Sequence, residues 1–258
     1  MPDRFRHFNI RCFGIPLIAI ALNSCALGGQ SQPVVTQCIL PADQAGSLSG
    51  RWTVQPIPIA FHQGDFSGSE INAMVSAAGA WNTFYNASLG AAQMFNVSAT
   101  STTTASKPTV NCSSSLLSGN QFAGPVVIYK DAQWPYTNIP NAIALTTFCV
   151  SSAKPLPSMY TAYTEINYQN FFVNGMVPDI QSIVTHEMGH ILGLNHSCNV
   201  PNTVGCSSSI DSSYLSAVMY PSFGFSNSGA GEIRDALNSN DEGRANCLYG
   251  DLYGKNTQ

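Results

Sequence analysis

A mixed α/β (α+β) domain is predicted, with a five-stranded mixed sheet, three helices and a small C-terminal subdomain. Three observations predict it. Five segments have the length and apolar pattern of strands, and three carry helix spacing or helix caps. A glycine at position 193 then closes the second helix and turns the chain into the C-terminal segment.

The elements are taken in chain order. Residues 26–48 are rich in Gly, Ser, Gln and Pro and read as a tether, so the domain is expected to begin near Gly50. Residues 51–62 read as a strand in which Ile57, Ile59 and Phe61 alternate with Pro58 and Ala60. Pro56 and Pro58 give it an edge position or an irregular start. Ser67 and Glu70 form a capping box, and Ile71, Met74, Val75, Ala78, Trp81 and Tyr85 come after it at helix spacing as a core-facing stripe. Residues 95–97 read as a second strand, and the Ser/Thr-dense stretch 98–118 as a long loop. Residues 124–129, 142–150 and 160–168 complete the strands. Helices are expected over 180–192, capped by Asp179, and over 241–249, capped by Ser239 or Asn240. There is no internal repeat.

Hydrophobic residues make up 44% of the 258 residues and charged ones 9%, which excludes a solvated disordered chain. Without residues 1–24, which hold three arginines and one aspartate, the net charge is −6 and seven Lys and Arg remain. That leaves no basic patch to neutralise phosphates, so nucleic acid is excluded as a partner.

Residues 1–24 read as a signal peptide: Arg4, Arg6 and Arg11 precede an apolar run at 15–22 that is too short to span a bilayer. Leu22-Asn23-Ser24-Cys25 resembles the bacterial lipobox, which makes Cys25 a lipidation candidate and implies a cell-envelope lipoprotein, at the outer membrane or surface. Cleavage after Ala26 and free secretion is the alternative. The expected organisation is signal 1–24, tether 25–49, a domain at 50–250 divided after Gly193, and a tail at 251–258. Cys38, Cys112, Cys149, Cys198, Cys206 and Cys247 remain beyond the leader, an even number that in an exported chain implies three disulfides. Of the 15 possible connectivities, Cys198–Cys206 is the one local pairing expected.

The decisive segment is His186-Glu187-Met188-Gly189-His190-Ile191-Leu192-Gly193-Leu194-Asn195-His196. Residues four apart on a helix share a face, so His186 and His190 can hold one ion. Glu187 sits beside the first ligand and remains free as a base toward water. Gly193 ends the helix and brings His196 back to the ion. Three imidazoles with one open position make a catalytic site rather than a closed structural one, and they suit zinc, although copper or nickel would bind too. The chain has five histidines, and three of them fall at ligand spacing, which chance does not readily produce.

This pattern resembles the metzincin signature, in which a Met-turn comes after the third histidine. Met219, in Val218-Met219-Tyr220-Pro221, resembles that turn. Several features are similar to the matrixin branch: Ser197 after the third histidine, Tyr-Pro after Met219, and the closing run ending Leu248-Tyr249-Gly250. Astacins and serralysins carry a tyrosine where Pro221 stands. The resemblance implies a zincin-like fold with a mostly parallel sheet, one catalytic Zn2+ on His186, His190 and His196, and Glu187 as general base. It implies a monomeric endopeptidase acting on protein or peptide substrates. The substrate would lie along an edge strand at 142–147, with 221–225 lining the pocket for the residue after the cut. The Gly- and Ser-rich stretch reaching Gly231 is expected to be a mobile loop.

Departures accompany the likeness. Vertebrate matrixins hold a second zinc largely with histidines, and only His62 is left over beyond the leader. No acidic run resembles an EF-hand, and Ca2+ held by backbone carbonyls has no sequence signature. Cys38-Ile-Leu-Pro41 faintly echoes the matrixin cysteine switch, but that use would strand one of six cysteines. Three competing readings are a non-catalytic zinc-containing surface binding or adhesion module, a structural envelope lipoprotein, and a zinc hydrolase of non-peptide amides.

Overall fold

A computed structural model describes residues 33–40, 47–91, 93–108, 124–151, 156–198 and 212–254. The signal at 1–24, Cys25, Cys112 and Cys206 lie outside the described residues. The elements are β1 (Ile57–His62), α1 (Gly68–Leu89), β2 (Phe95–Asn96), β3 (Thr102–Thr103), β4 (Val126–Asp131), β5 (Ala144–Val150), β6 (Met159–Asn167), α2 (Ile180–Leu192), α3 (Ser212–Leu215) and α4 (Ser239–Tyr249). Among the described residues no helix is long and apolar enough to cross a membrane.

The sheet is mixed and runs β2-β1-β4-β6-β5, with β3 pairing the far end of β1. Every pairing is parallel except β5 on β6, so β5 is an antiparallel outer strand. One sheet face, through Ile57, Ile59, Phe61, Ile128 and Ile166, packs on α1 and α2. Met74, Trp81, Val184, Met188 and Ile191 fill the space between, all fully buried. Burying an apolar side chain of this size stabilises by roughly 1.5–3 kcal/mol. The Trp81 indole donates to Thr185 O at 2.9 Å, which joins α1 to α2 with its polar atom satisfied.

The Ser67 box forms as expected: Ser67 N donates to Glu70 Oε2 at 2.6 Å, and Glu70 N to Ser67 Oγ at 3.3 Å. The element count differs from expectation, with six strands and four α-helices among the described residues instead of five and three. β3 falls inside the expected loop at 98–118, and α3 is a single turn; neither is long enough to show a period. The α4 cap is Asn238 rather than Ser239 or Asn240. Its side chain accepts from Asn240 N and Asp241 N, and the Asp241 carboxylate accepts from Asn238 N in return.

Residues 33–40, within the stretch read as a tether, are docked along α4. Val35 N donates to Glu242 Oε2 at 2.8 Å, Ile39 N to Gly243 O at 3.1 Å, and Cys38 is disulfide-bonded to Cys247. Polar composition concealed this, because the anchoring comes from backbone groups and one cysteine. Cys38 is thereby committed to structure and not to a cysteine switch. Cys149 and Cys198 are also in disulfides.

Candidate metal centre

The site is built on α2. Asp179 caps it, accepting from Ser182 N at 2.7 Å, and the helix carries His186, Glu187 and His190. Gly193 ends it at φ 109°, in the left-handed region, and Leu194 N returns to Gly189 O at 2.9 Å. A Cβ at 193 would stand 1.8 Å from Gly50 O, so the turn needs glycine for space as well as for dihedral. Leu194 O, placed by that turn, accepts from His190 Nδ1 at 2.8 Å, and Val218 O accepts from His186 Nδ1 at 2.7 Å. In a neutral imidazole whose Nδ1 donates, Nε2 keeps the lone pair.

His186, His190 and His196 come together, with ligand atoms within 4.8 Å of one another. It is the one such group of three among the described residues. Burial, together with the neighbouring histidines, lowers His186 well below the usual imidazole range. Burial also lowers His190 to about 3 and His196 to about 4. All three rings are therefore neutral near pH 7, the state that a metal requires of its ligands. The donor set fits a divalent ion such as zinc.

Glu187 is 5% exposed and borders the same cleft. Burial raises its pKa to about 7, against the lowering effect of a hydrogen bond from Thr146. Met219 is fully buried beneath the ligand-bearing turn: a Cβ at Gly189 would stand 2.2 Å from its sulfur. The glycine between the two α2 histidines thus makes room for Met219.

α4 holds the loops that carry these groups. Asp241, 0% exposed, accepts from Val218 N at 2.8 Å and Met219 N at 3.1 Å. Arg244 donates to Asn195 O at 2.9 Å, and the Tyr249 hydroxyl to Leu192 O at 2.8 Å. None of the three was singled out as a site residue in the sequence, since a buried charge leaves no local signature. Asp241 in the first turn of a capped helix was the one available hint.

The cleft has a volume of about 730 Å³. One side is β5 through Ala144, Leu145 and Thr146, and the other is formed by Pro221, Phe223 and Phe225. The segment after Met219 is fixed by Arg234, which donates to Tyr220 O at 3.3 Å and Ser222 O at 3.1 Å. The stretch expected to be a mobile loop is tied to residues 175–177: Val177 N donates to Gly229 O, and Gly231 N to Val177 O. Its Gly and Ser content permits the close backbone approach that this pairing needs.

Comparison with protein-family models finds no match, and comparison with curated proteins finds none either. The chain's own geometry supplies a three-histidine cluster that could hold a metal ion, set in a mixed α/β fold.

Proposed function

We propose that the chain is a zinc-dependent endopeptidase, metzincin-like and nearest the matrixin type. One observation carries the reading: three neutral imidazoles converge at a cleft that also holds Glu187 and is bordered by the outer strand β5. Zinc held by His186, His190 and His196 would supply Lewis acidity, acidifying water and polarising a carbonyl. Glu187 takes a proton from the attacking water and returns it to the leaving amine. Among the described residues β5 is paired on one side only, so an extended peptide can add to its other edge by main-chain hydrogen bonds. Phe171, Phe223 and Phe225 border the space next to the ligands and favour an apolar side chain there. The reading includes export, with Cys25 as the point of lipid attachment, supported by the leader and the paired cysteines.

The test is cleavage of a quenched peptide library with and without chelator. Zinc-loaded protein is expected to cleave, and chelator to stop it. Glu187→Ala is expected to keep stoichiometric zinc while losing about 10²- to 10⁴-fold in rate. Zinc binding without cleavage would favour a surface-binding module, and full activity in Glu187→Ala would remove the assigned role.

A further inference from the structure

Thr146 belongs to β5, opposite Thr164 of β6 in the strand register. Its hydroxyl donates to Glu187 Oε2 at 2.6 Å and lies 2.7 Å from Thr164 Oγ1. Thr164 is 0% exposed and Glu187 5%, whereas Thr146 between them is partly buried and lines the cleft. A hydroxyl has one proton, and an ionised carboxylate only accepts. While Glu187 is ionised, the Thr146 proton is committed to it, and Thr164 then donates to the Thr146 oxygen. The order Thr164, Thr146, Glu187 polarises in a single direction.

The terminal torsion of glutamate is broad, so bonding geometry alone does not set the plane of its carboxylate. Here a hydrogen bond sets it. Oε1 receives no hydrogen bond among the described residues.

We propose that Thr146 is a positioning residue for Glu187: it occupies Oε2, fixes the carboxylate plane, and leaves Oε1 to take and return the proton. This rests on the reading of Glu187 as the base. Because Thr146 lies on the strand that borders the cleft, it also ties the peptide-binding edge to the base on α2. A peptide that shifts β5 shifts the carboxylate with it.

The test compares zinc-loaded wild type, Thr146→Val and Thr146→Ser. Valine keeps the shape and removes the hydroxyl; serine restores it. Thr146→Val is expected to lower kcat about 10- to 100-fold, the scale for a misaligned reacting group. KM and zinc affinity should stay near wild type, since the β5 backbone and the histidines are untouched. Thr146→Ser should recover most of kcat. Calorimetry with a peptidyl hydroxamate gives a readout without turnover, because its acidic proton needs the Glu187 oxygen. Thr146→Val should bind it about tenfold more weakly, the scale of one hydrogen bond. Wild-type kcat and hydroxamate affinity in Thr146→Val would overturn the proposal. So would a Thr146→Ser variant as impaired as the valine one, which would indicate a packing role, or parallel loss of zinc. If Thr146→Val fails to fold, Thr164→Val removes only the supporting donor and should show a smaller loss of the same kind. If wild type cleaves no peptide, the endopeptidase reading fails, and hydroxamate affinity still decides the role of Thr146.

Discussion

Replacing Gly193 with alanine probes the turn that delivers His196. The residue sits at φ 109°, and the new Cβ would lie 1.8 Å from Gly50 O and 2.8 Å from Gly50 C. Gly50 cannot easily retreat, because the next residue is fastened at both ends: Arg51 N donates to Pro157 O, and Arg51 O accepts from Met159 N. The left-handed backbone costs about 1–2 kcal/mol for a residue with a side chain. A forced shift in a packed region adds about 1–3 kcal/mol. The total, about 2–5 kcal/mol, corresponds to a Tm lower by roughly 5–15 °C for a domain of this size. Gly64→Ala is the control: its φ is +87°, but no atom lies within 4 Å of the added Cβ, so it bears the dihedral cost alone. The assay is thermal unfolding by circular dichroism, with zinc affinity measured by competition against a chromophoric chelator. Gly193→Ala should lose more stability than Gly64→Ala and bind zinc at least tenfold less tightly, with Gly64→Ala retaining wild-type affinity. Equal Tm losses with unchanged zinc affinity would refute the reasoning.

His190→Ala should purify with substoichiometric zinc by elemental analysis, and chelator should lower the Tm of wild type but not of this variant; full occupancy in the variant would exclude His190 as a ligand. Burial pushes the Glu70 carboxyl upward, but hydrogen bonds from Tyr168 and Ser67, with Lys130 nearby, outweigh it and hold the pKa below the ordinary 4.5. A depressed folded pKa stabilises above the unfolded value and loses that contribution as pH falls through the folded one. Urea midpoints of Glu70→Gln should therefore vary less with pH below about 4.5 than those of wild type, whereas parallel curves would contradict the assignment. Replacing Cys38 and Cys247 together by serine opens a crosslink between residues 209 apart and should cost about 2–4 kcal/mol in urea unfolding without reductant. An unchanged midpoint would mean that docking of 33–40 on α4 does not depend on the bond.

Local chemistry made part of this molecule legible. α2 spans the residues expected because both of its ends are local signals, Asp179 accepting at one and Gly193 turning at the other. The three histidines and Glu187 share a cleft because the spacing on one helix and one tight turn leave few alternatives. Legibility ended where geometry depends on distant segments. β3 and α3 are too short for a periodic pattern, and the α4 cap is one residue before Ser239 and two before Asn240, in a run of Asn and Ser that all cap well. The docking of residues 35–39 joins their backbone to the Glu242 and Asn246 side chains and the Gly243 carbonyl more than 200 residues away, and composition carries no record of that. Thr146 is the sharpest instance: an ordinary strand threonine whose hydrogen bond to Glu187 exists only once α2 lies beside β5.

Asp241, Arg244 and Tyr249 belong to α4, yet they fasten the two segments that orient the histidine cluster. During synthesis the histidine-bearing stretch leaves the ribosome about fifty residues before its supports exist. A nascent chain therefore carries the three histidines without the frame that orients them. Shortening the chain ahead of position 241 leaves all three histidines in the sequence and removes that frame, so a truncated product is expected to lose their convergence despite an intact motif.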